Sequence, residues 1–148
     1  SSEKNWINLK TVKSKYTMLI FWADDCGHCQ KEIPKFNKIY DSIKKNTNID
    51  LEVYAVCTSI SNTGWKKFIN KHDLSWINVS DFQDMRDNPE KYILNGNTTL
   101  KSINYRNSYD VFVTPIAYLL DENKKIIAKQ FGSDQFKHIL EVTVNNNL

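Results

Sequence analysis

Cys26-Gly27-His28-Cys29 brings two thiols and an imidazole into one short segment. The first cysteine follows the apolar run Met18-Leu19-Ile20-Phe21-Trp22, and the second leads into a stretch whose apolar residues recur at helical spacing. At such a strand-to-helix junction the first sulfur lies among backbone N–H groups that have no helical partner, at the positive end of the helix dipole. Both effects favour the thiolate, the reactive form of cysteine. The pattern points to thiol–disulfide chemistry. Half of a structural zinc site is the plainer alternative, but it would need a second ligand pair at similar spacing. The only other cysteine is Cys57, and His72 and His138 stand alone.

The neighbours of the two thiols carry further chemistry. An imidazolium at His28 favours the thiolate, stabilises the reduced form and makes the disulfide more oxidising. Asp25 places an anion beside it, opposing both His28 and the dipole. At partly exposed distances that opposition is at most on the order of 1 kcal/mol, so His28 and the dipole are expected to prevail. Glu32, three residues after Cys29, sits at the margin of the apolar face formed with Ile33 and Phe36. Burial there would raise its pKa toward the range useful for general acid–base work, whereas a solvated helix glutamate would do nothing. Cys57 ends an apolar strand and reads as a small buried hydrophobe, with a regulatory thiol as the alternative. Trp22 and Trp65 read as core, although Trp22 is also carried as a candidate substrate contact. His72 lies on the apolar stripe of its helix and reads as packing or capping.

The elements that must position these groups follow from periodicity. Residues 17–22 form an unbroken apolar run, which reads as a buried central strand. From Gly27 the apolar positions become Ile33, Phe36, Ile39, Tyr40 and Ile43, a helical period with lysines opposite. Pro34 falls inside that helix and is expected to kink it. Leu51–Cys57 reads as a second strand, Trp65, Phe68, Ile69 and His72 as the stripe of a second helix, and 76–79 as a short strand. Residues 81–110 are expected to form a polar insertion. It carries turn signals at Asn88-Pro89 and Asn95-Gly96-Asn97, and Met85, Tyr92, Ile93, Leu100 and Ile103 line one or two short helices. Strands at 116–120 and 125–131 make a hairpin around Asp121-Glu122-Asn123-Lys124. A last helix starts at Gly132-Ser133-Asp134, buries Phe136, Ile139, Leu140 and Thr143, and frays over 145–147. The order β-α-β-α, insertion, β-β-α predicts an α/β/α sandwich on a mixed sheet, the early strands parallel.

Composition bounds the rest. A chain of 148 residues with 41% hydrophobic and 12% aromatic content is long and apolar enough for one folded domain spanning 1–148. The net charge of +3 is small, and its lysines are scattered rather than striped among aromatics, which argues against a nucleic-acid partner. The longest apolar run falls short of a membrane span. Three cysteines are too few for a disulfide scaffold.

Together these features resemble the thioredoxin fold and, within it, the TlpA/ResA-like thiol–disulfide oxidoreductases of bacterial envelopes. The resemblance is carried by Phe21-Trp22-Ala23, Cys26-Gly27-His28-Cys29, Gln30-Lys31-Glu32-Ile33-Pro34, Val113-Thr114-Pro115 and Leu119-Leu120-Asp121-Glu122-Asn123-Lys124-Lys125-Ile126-Ile127. It extends from about Ile7 to the last helix. Asp25 departs from the pattern, since many relatives carry an aromatic just before the first cysteine. Ile20 stands where thioredoxins place a buried acid before Phe-Trp.

What the resemblance implies is a reaction on protein substrates. Cys26 attacks a substrate disulfide, Cys29 resolves the mixed disulfide, and the redox-active Cys26–Cys29 pair needs no organic cofactor and no metal. Glu32 matches a partly buried acid that passes protons. The Thr114–Pro115 bond is cis and faces the thiols, so that Thr114 and Pro115 help to bind substrate. Gly27, His28 and Asp25 tune the potential. The same tetrapeptide is found in protein disulfide isomerase, whose potential of about −180 mV against about −270 mV for thioredoxin amounts to roughly 4 kcal/mol. Such proteins work in the periplasm or cell envelope, often tethered to the membrane, and a membrane or envelope thiol partner recharges them. The chain is accordingly expected to be the excised C-terminal part of a longer envelope protein. Three rival readings have distinct marks. A peroxiredoxin would carry threonine at the place of Ala23. A copper-binding thioredoxin-like carrier would use Cys26, Cys29 and a histidine, and a redox-inert interaction module would not cycle its thiols.

Overall fold

The computed structural model describes residues 7–59, 62–80, 87–95 and 114–146. A short 3-10 helix at Leu9–Thr11 precedes β1 (Tyr16–Trp22), α1 (Gly27–Asn46), β2 (Leu51–Cys57), α2 (Asn62–His72) and β3 (Ile77–Ser80). Then come α3 (Pro89–Leu94), β4 (Ile116–Leu120), β5 (Ile126–Lys129) and α4 (Ser133–Asn146). The strands form one mixed sheet in the order β3-β2-β1-β4-β5. β1 and β2 are parallel, as are β2 and β3, while β4 runs antiparallel to both β1 and β5. This is the α/β architecture that the sequence predicts.

The topology explains where the helices lie. Parallel neighbours need a crossover connection, and α1 and α2 supply the two. Both crossovers step the same way across the sheet, so a common handedness puts both helices on one face. Packing agrees: Met18, Ile20 and Trp22 of β1 join a core with Ile33, Phe36 and Ile43 of α1, Phe68 of α2, and Phe136 and Leu140 of α4. The alternate residues Leu19 and Phe21 face the opposite side, where they pack with Val56, Tyr118, Leu120 and the 3-10 helix residue Leu9. Every residue of β1 is therefore buried, as its unbroken apolar run requires.

Pro34 lies inside α1, as predicted, and the helix continues past it over 20 residues. Other expectations are adjusted. β5 ends at Lys129 rather than Phe131, because Gln130 adopts a left-handed backbone conformation (φ 59°) that takes the chain out of the sheet. β3 starts and ends one residue later than predicted. α4 continues to Asn146, so the expected fraying over 145–147 does not begin where the sequence placed it. Of the predicted insertion 81–110, residues 81–86 and 96–110 lie outside the described residues; 87–95 contain α3, which begins at Pro89 and buries Tyr92.

Candidate active site

Sheet register assembles the site. Pairing of Phe21 with Ile116 sets the start of β4 beside the end of β1, and pairing of Trp22 with Cys57 sets the end of β2 on its other side. The chain leaving β1 therefore enters α1 between Thr114-Pro115 and the residues after Cys57. The Thr114–Pro115 bond is cis. The Thr114 carbonyl accepts from Cys26 Sγ at 3.4 Å, which places this segment directly against the first thiol.

Cys26 is the N-cap residue of α1, with an extended backbone and a sulfur that accepts from the Cys29 N–H at 3.4 Å. The position usually belongs to Ser, Thr, Asp or Asn, whose oxygen satisfies an orphan N–H of the first turn. Here sulfur takes that place, and negative charge on it is favoured by the helix start. Burial acts to raise the Cys26 pKa. It is outweighed by hydrogen bonds from the Cys29 thiol, the Cys29 N–H, the Thr114 side chain and the His28 N–H, so the thiol titrates below its ordinary 9.0. Cys29 lies one turn in and is fully buried. Burial pushes its thiol up to about 12, although the Ala23 N–H donates to the sulfur at 3.5 Å. All three cysteines are free thiols in this structure. The two active-site thiols thus differ sharply: one is accessible and acidified, the other covered and held protonated.

The remaining candidates fall into place around this pair. His28, Gly27 and Asp25 are all exposed on the rim of the loop. Side-chain space around Gly27 is open. The acidification of Cys26 involves the backbone N–H of His28, one of the unpartnered N–H groups of the helix start that the sequence placed around this sulfur. Glu32 is half-buried and accepts a hydrogen bond from Ser133 Oγ at the start of α4. On α1, residues three apart are neighbours, so Glu32 lies along the same flank as Cys29. Trp22 requires correction as a substrate contact. It is fully buried, with its ring packed 5.1 Å from that of Phe68, and it supports the loop from beneath. The His72 ring packs against that of Phe68, tilted, with 4.4 Å between their centres, a packing role. Among the described residues, no group of three or more His, Cys, Asp or Glu side chains is placed to hold a metal ion.

Sequence reasoning gave no functional role to Asp24, Gln30, Ser59 or Ser133. Asp24 donates its N–H to Ser59 Oγ, its carbonyl accepts from Gln30 Nε2, and its carboxylate accepts from the Cys57 thiol. The only sequence signal for this cluster is Gly64, a glycine inside a helical pattern, which tends to mark a close approach. Nothing in the sequence around Ser133 pointed to Glu32, which lies on a different helix about a hundred residues earlier.

Comparison with known proteins places this geometry. The model of the AhpC/TSA family matches residues 1–136. A thiol-disulfide oxidoreductase ResA of Bacillus cereus is 27% identical over 135 residues, covering 91% of this chain and 65% of that protein. The chain thus spans just under two thirds of the length of the curated relative. Among solved structures, a domain of a possible thiol-disulfide isomerase from Cytophaga hutchinsonii is 32% identical with a TM-score of 0.69, covering 93% of this chain and 81% of that one. A thiol:disulfide interchange protein from Bacteroides sp. is 28% identical with a TM-score of 0.68, covering 94% and 79%. With the acidified cysteine at a helix start and the cis proline against it, these likenesses settle the family: the chain belongs to the AhpC/TSA family and, within it, stands with the thiol–disulfide oxidoreductases of the ResA/TlpA type.

Proposed function

We propose that this domain exchanges disulfides with protein substrates through Cys26-Gly27-His28-Cys29, outside the cytoplasm, in the cell envelope of a bacterium. The observation that carries the reading is the division of labour between the thiols: Cys26 is accessible and acidified, and Cys29 is buried behind it with its thiol held protonated. The Cys26 thiolate attacks a substrate disulfide, one substrate sulfur leaves as a thiolate, and a mixed disulfide forms. Cys29 then loses its proton and attacks Cys26 Sγ. The second substrate sulfur leaves, and the Cys26–Cys29 disulfide remains. Substrate gains two electrons and two protons; a thiol partner of the membrane or envelope restores the dithiol. The reaction uses no organic cofactor.

Thr114 and Pro115 lie where an extended substrate segment would meet Cys26, and backbone pairing of that kind needs no particular side chain. Glu32 is the acid on the Cys29 flank of α1, and in this reading it exchanges the proton of the resolving thiol. His28, Gly27 and Asp25, all on the exposed rim, set the potential. Localisation is supported by the ResA-type likeness. Among the described residues no helix is long and apolar enough to cross a membrane.

The test is catalysed reduction of insulin by a small dithiol. Turnover that disappears in Cys26→Ser supports the reading, and absence of turnover in the wild-type protein leaves a redox-inert module. Stoichiometric copper after anaerobic purification, lost in Cys26→Ser, would instead mark a metal carrier.

A further inference from the structure

Asp24 is anchored through its backbone N–H, its carbonyl and one carboxylate oxygen. Its N–H donates to Ser59 Oγ at 3.1 Å, and its carbonyl accepts from Gln30 Nε2 at 3.0 Å. Oδ1 accepts from the Cys57 thiol at 3.9 Å. Oδ2 rests on the first turn of α2, so close that a Cβ built at Gly64 would lie 2.0 Å from it. Only glycine leaves room for the carboxylate there, and the orphan N–H groups and dipole of a helix start favour an anion. The residue is thus clamped between the end of β2 and the start of α2.

The loop it clamps holds the second thiol. Ala23, immediately before Asp24, donates its N–H to Cys29 Sγ at 3.5 Å and accepts the Cys26 N–H on its carbonyl at 3.3 Å. That N–H is the backbone donor aimed at Cys29, beside the Thr114 side chain, and it stabilises negative charge on the sulfur. We infer that Asp24 is a positioning residue for the resolving step: seated on Gly64 and Cys57, it fixes the β1–α1 loop so that the Ala23 N–H meets the Cys29 sulfur as it becomes a thiolate. This rests on Cys29 being the resolving thiol. Asp24 acts through the backbone, and the Cys57 thiol, kept protonated mainly by burial, serves as its hydrogen-bond donor.

The consequence is specific to the second half of the exchange. When Cys29 attacks the mixed disulfide on Cys26, the Cys26–Cys29 bond forms, the bond to the departing sulfur breaks, and the Cys29 proton passes by way of Glu32 to solvent. Attack on a substrate by Cys26 does not draw on the Ala23 N–H.

Ellman's reagent separates the two halves. Reduced protein releases one thionitrobenzoate when Cys26 attacks the reagent, and a second when Cys29 displaces the adduct. Asp24→Ala is expected to slow the second release about fivefold, the worth of one hydrogen bond, and to move its pH profile to higher pH, with the first release unchanged. Gly64→Ala, which pushes the carboxylate off its seat, should do the same, and Asp24→Ala/Gly64→Ala should be no slower than Asp24→Ala alone. Should Asp24→Ala fail to fold, Asp24→Asn and Gly64→Ala carry the test. A second release at the wild-type rate and pH profile in these variants overturns the inference. Cys29→Ser should show the first release only; if it shows both, Cys29 is not the resolving thiol, and the inference falls for that separate reason.

Discussion

The Cys29 N–H donates to Cys26 Sγ across 3.4 Å, so the first sulfur caps the helix that carries the second thiol. One hydrogen bond therefore ties the acidity of the first thiol to the start of α1. Capping by sulfur also explains why two intervening residues are needed: the third helical N–H is the one an N-cap side chain reaches.

The backbone part of this acidification can be separated from the imidazole. His28→Pro removes both the imidazole and the N–H that donates to Cys26, whereas His28→Ala removes only the imidazole. Cys26 is expected to have a higher pKa in His28→Pro than in His28→Ala, and the potential against glutathione should become more reducing in the same order. Since about 30 mV corresponds to 1.4 kcal/mol for a two-electron couple, the difference is readily measured. Equal values in the two variants would assign the effect to the imidazole alone.

The thiols should titrate in a fixed order. Alkylation of Cys26 by iodoacetamide should rise with pH and level off below 9.0, because its folded pKa is lowered and the thiolate is already present there. Cys29 should stay unmodified until the pH approaches its value of about 12. Because that pKa is raised on folding, the Cys29 contribution to stability is present in full below 9.0 and is lost as pH climbs toward about 12. Chemical denaturation of wild type and Cys29→Ser across that range should show the wild type losing more stability. Mass mapping that found Cys29 modified first at neutral pH would reverse the assignment.

Trp22 should behave as a core residue with an idle N–H. Its ring is fully buried on Phe68, but its Nε1 is buried without a hydrogen-bond partner among the described residues. Trp22→Ala should destabilise the fold by about 3–5 kcal/mol. Trp22→Phe keeps most of the packing and removes an unsatisfied donor, so it should cost clearly less. Urea denaturation compares them, and equal losses would mean that the indole N–H contributes after all.

Glu32 and Ser133 form the one side-chain link described between the start of α1 and the start of α4. If Glu32 exchanges the proton of Cys29, Glu32→Gln should slow insulin reduction near neutral pH and flatten its pH dependence. Ser133→Ala, which frees the carboxylate without removing it, should give a smaller loss and keep the pH dependence. Identical profiles for both variants would make the link structural only.

The parts that were legible in the sequence are those with a local signature. The unbroken run in β1, the helical stripe Ile33-Phe36-Tyr40-Ile43 and the cysteine spacing each announce themselves within a few residues. What was not legible depends on register and on contacts between distant elements. The seat of Asp24 on Gly64 exists only because Trp22 pairs with Cys57, and no periodicity encodes that pairing. Ser133 reaches Glu32 because α1 and α4 pack on the same face of the sheet. Trp22, flagged both as core and as a substrate contact, could be settled only by knowing which face of β1 the helices cover.

The central claim, that Cys26 attacks and Cys29 resolves, is tested most directly by trapping. Cys29→Ser and Cys26→Ser variants are exposed to oxidised insulin or to envelope extract, quenched with acid and separated without reductant. The account predicts mixed disulfides in Cys29→Ser and none in Cys26→Ser; equal trapping by both variants, or trapping by Cys26→Ser alone, would contradict it.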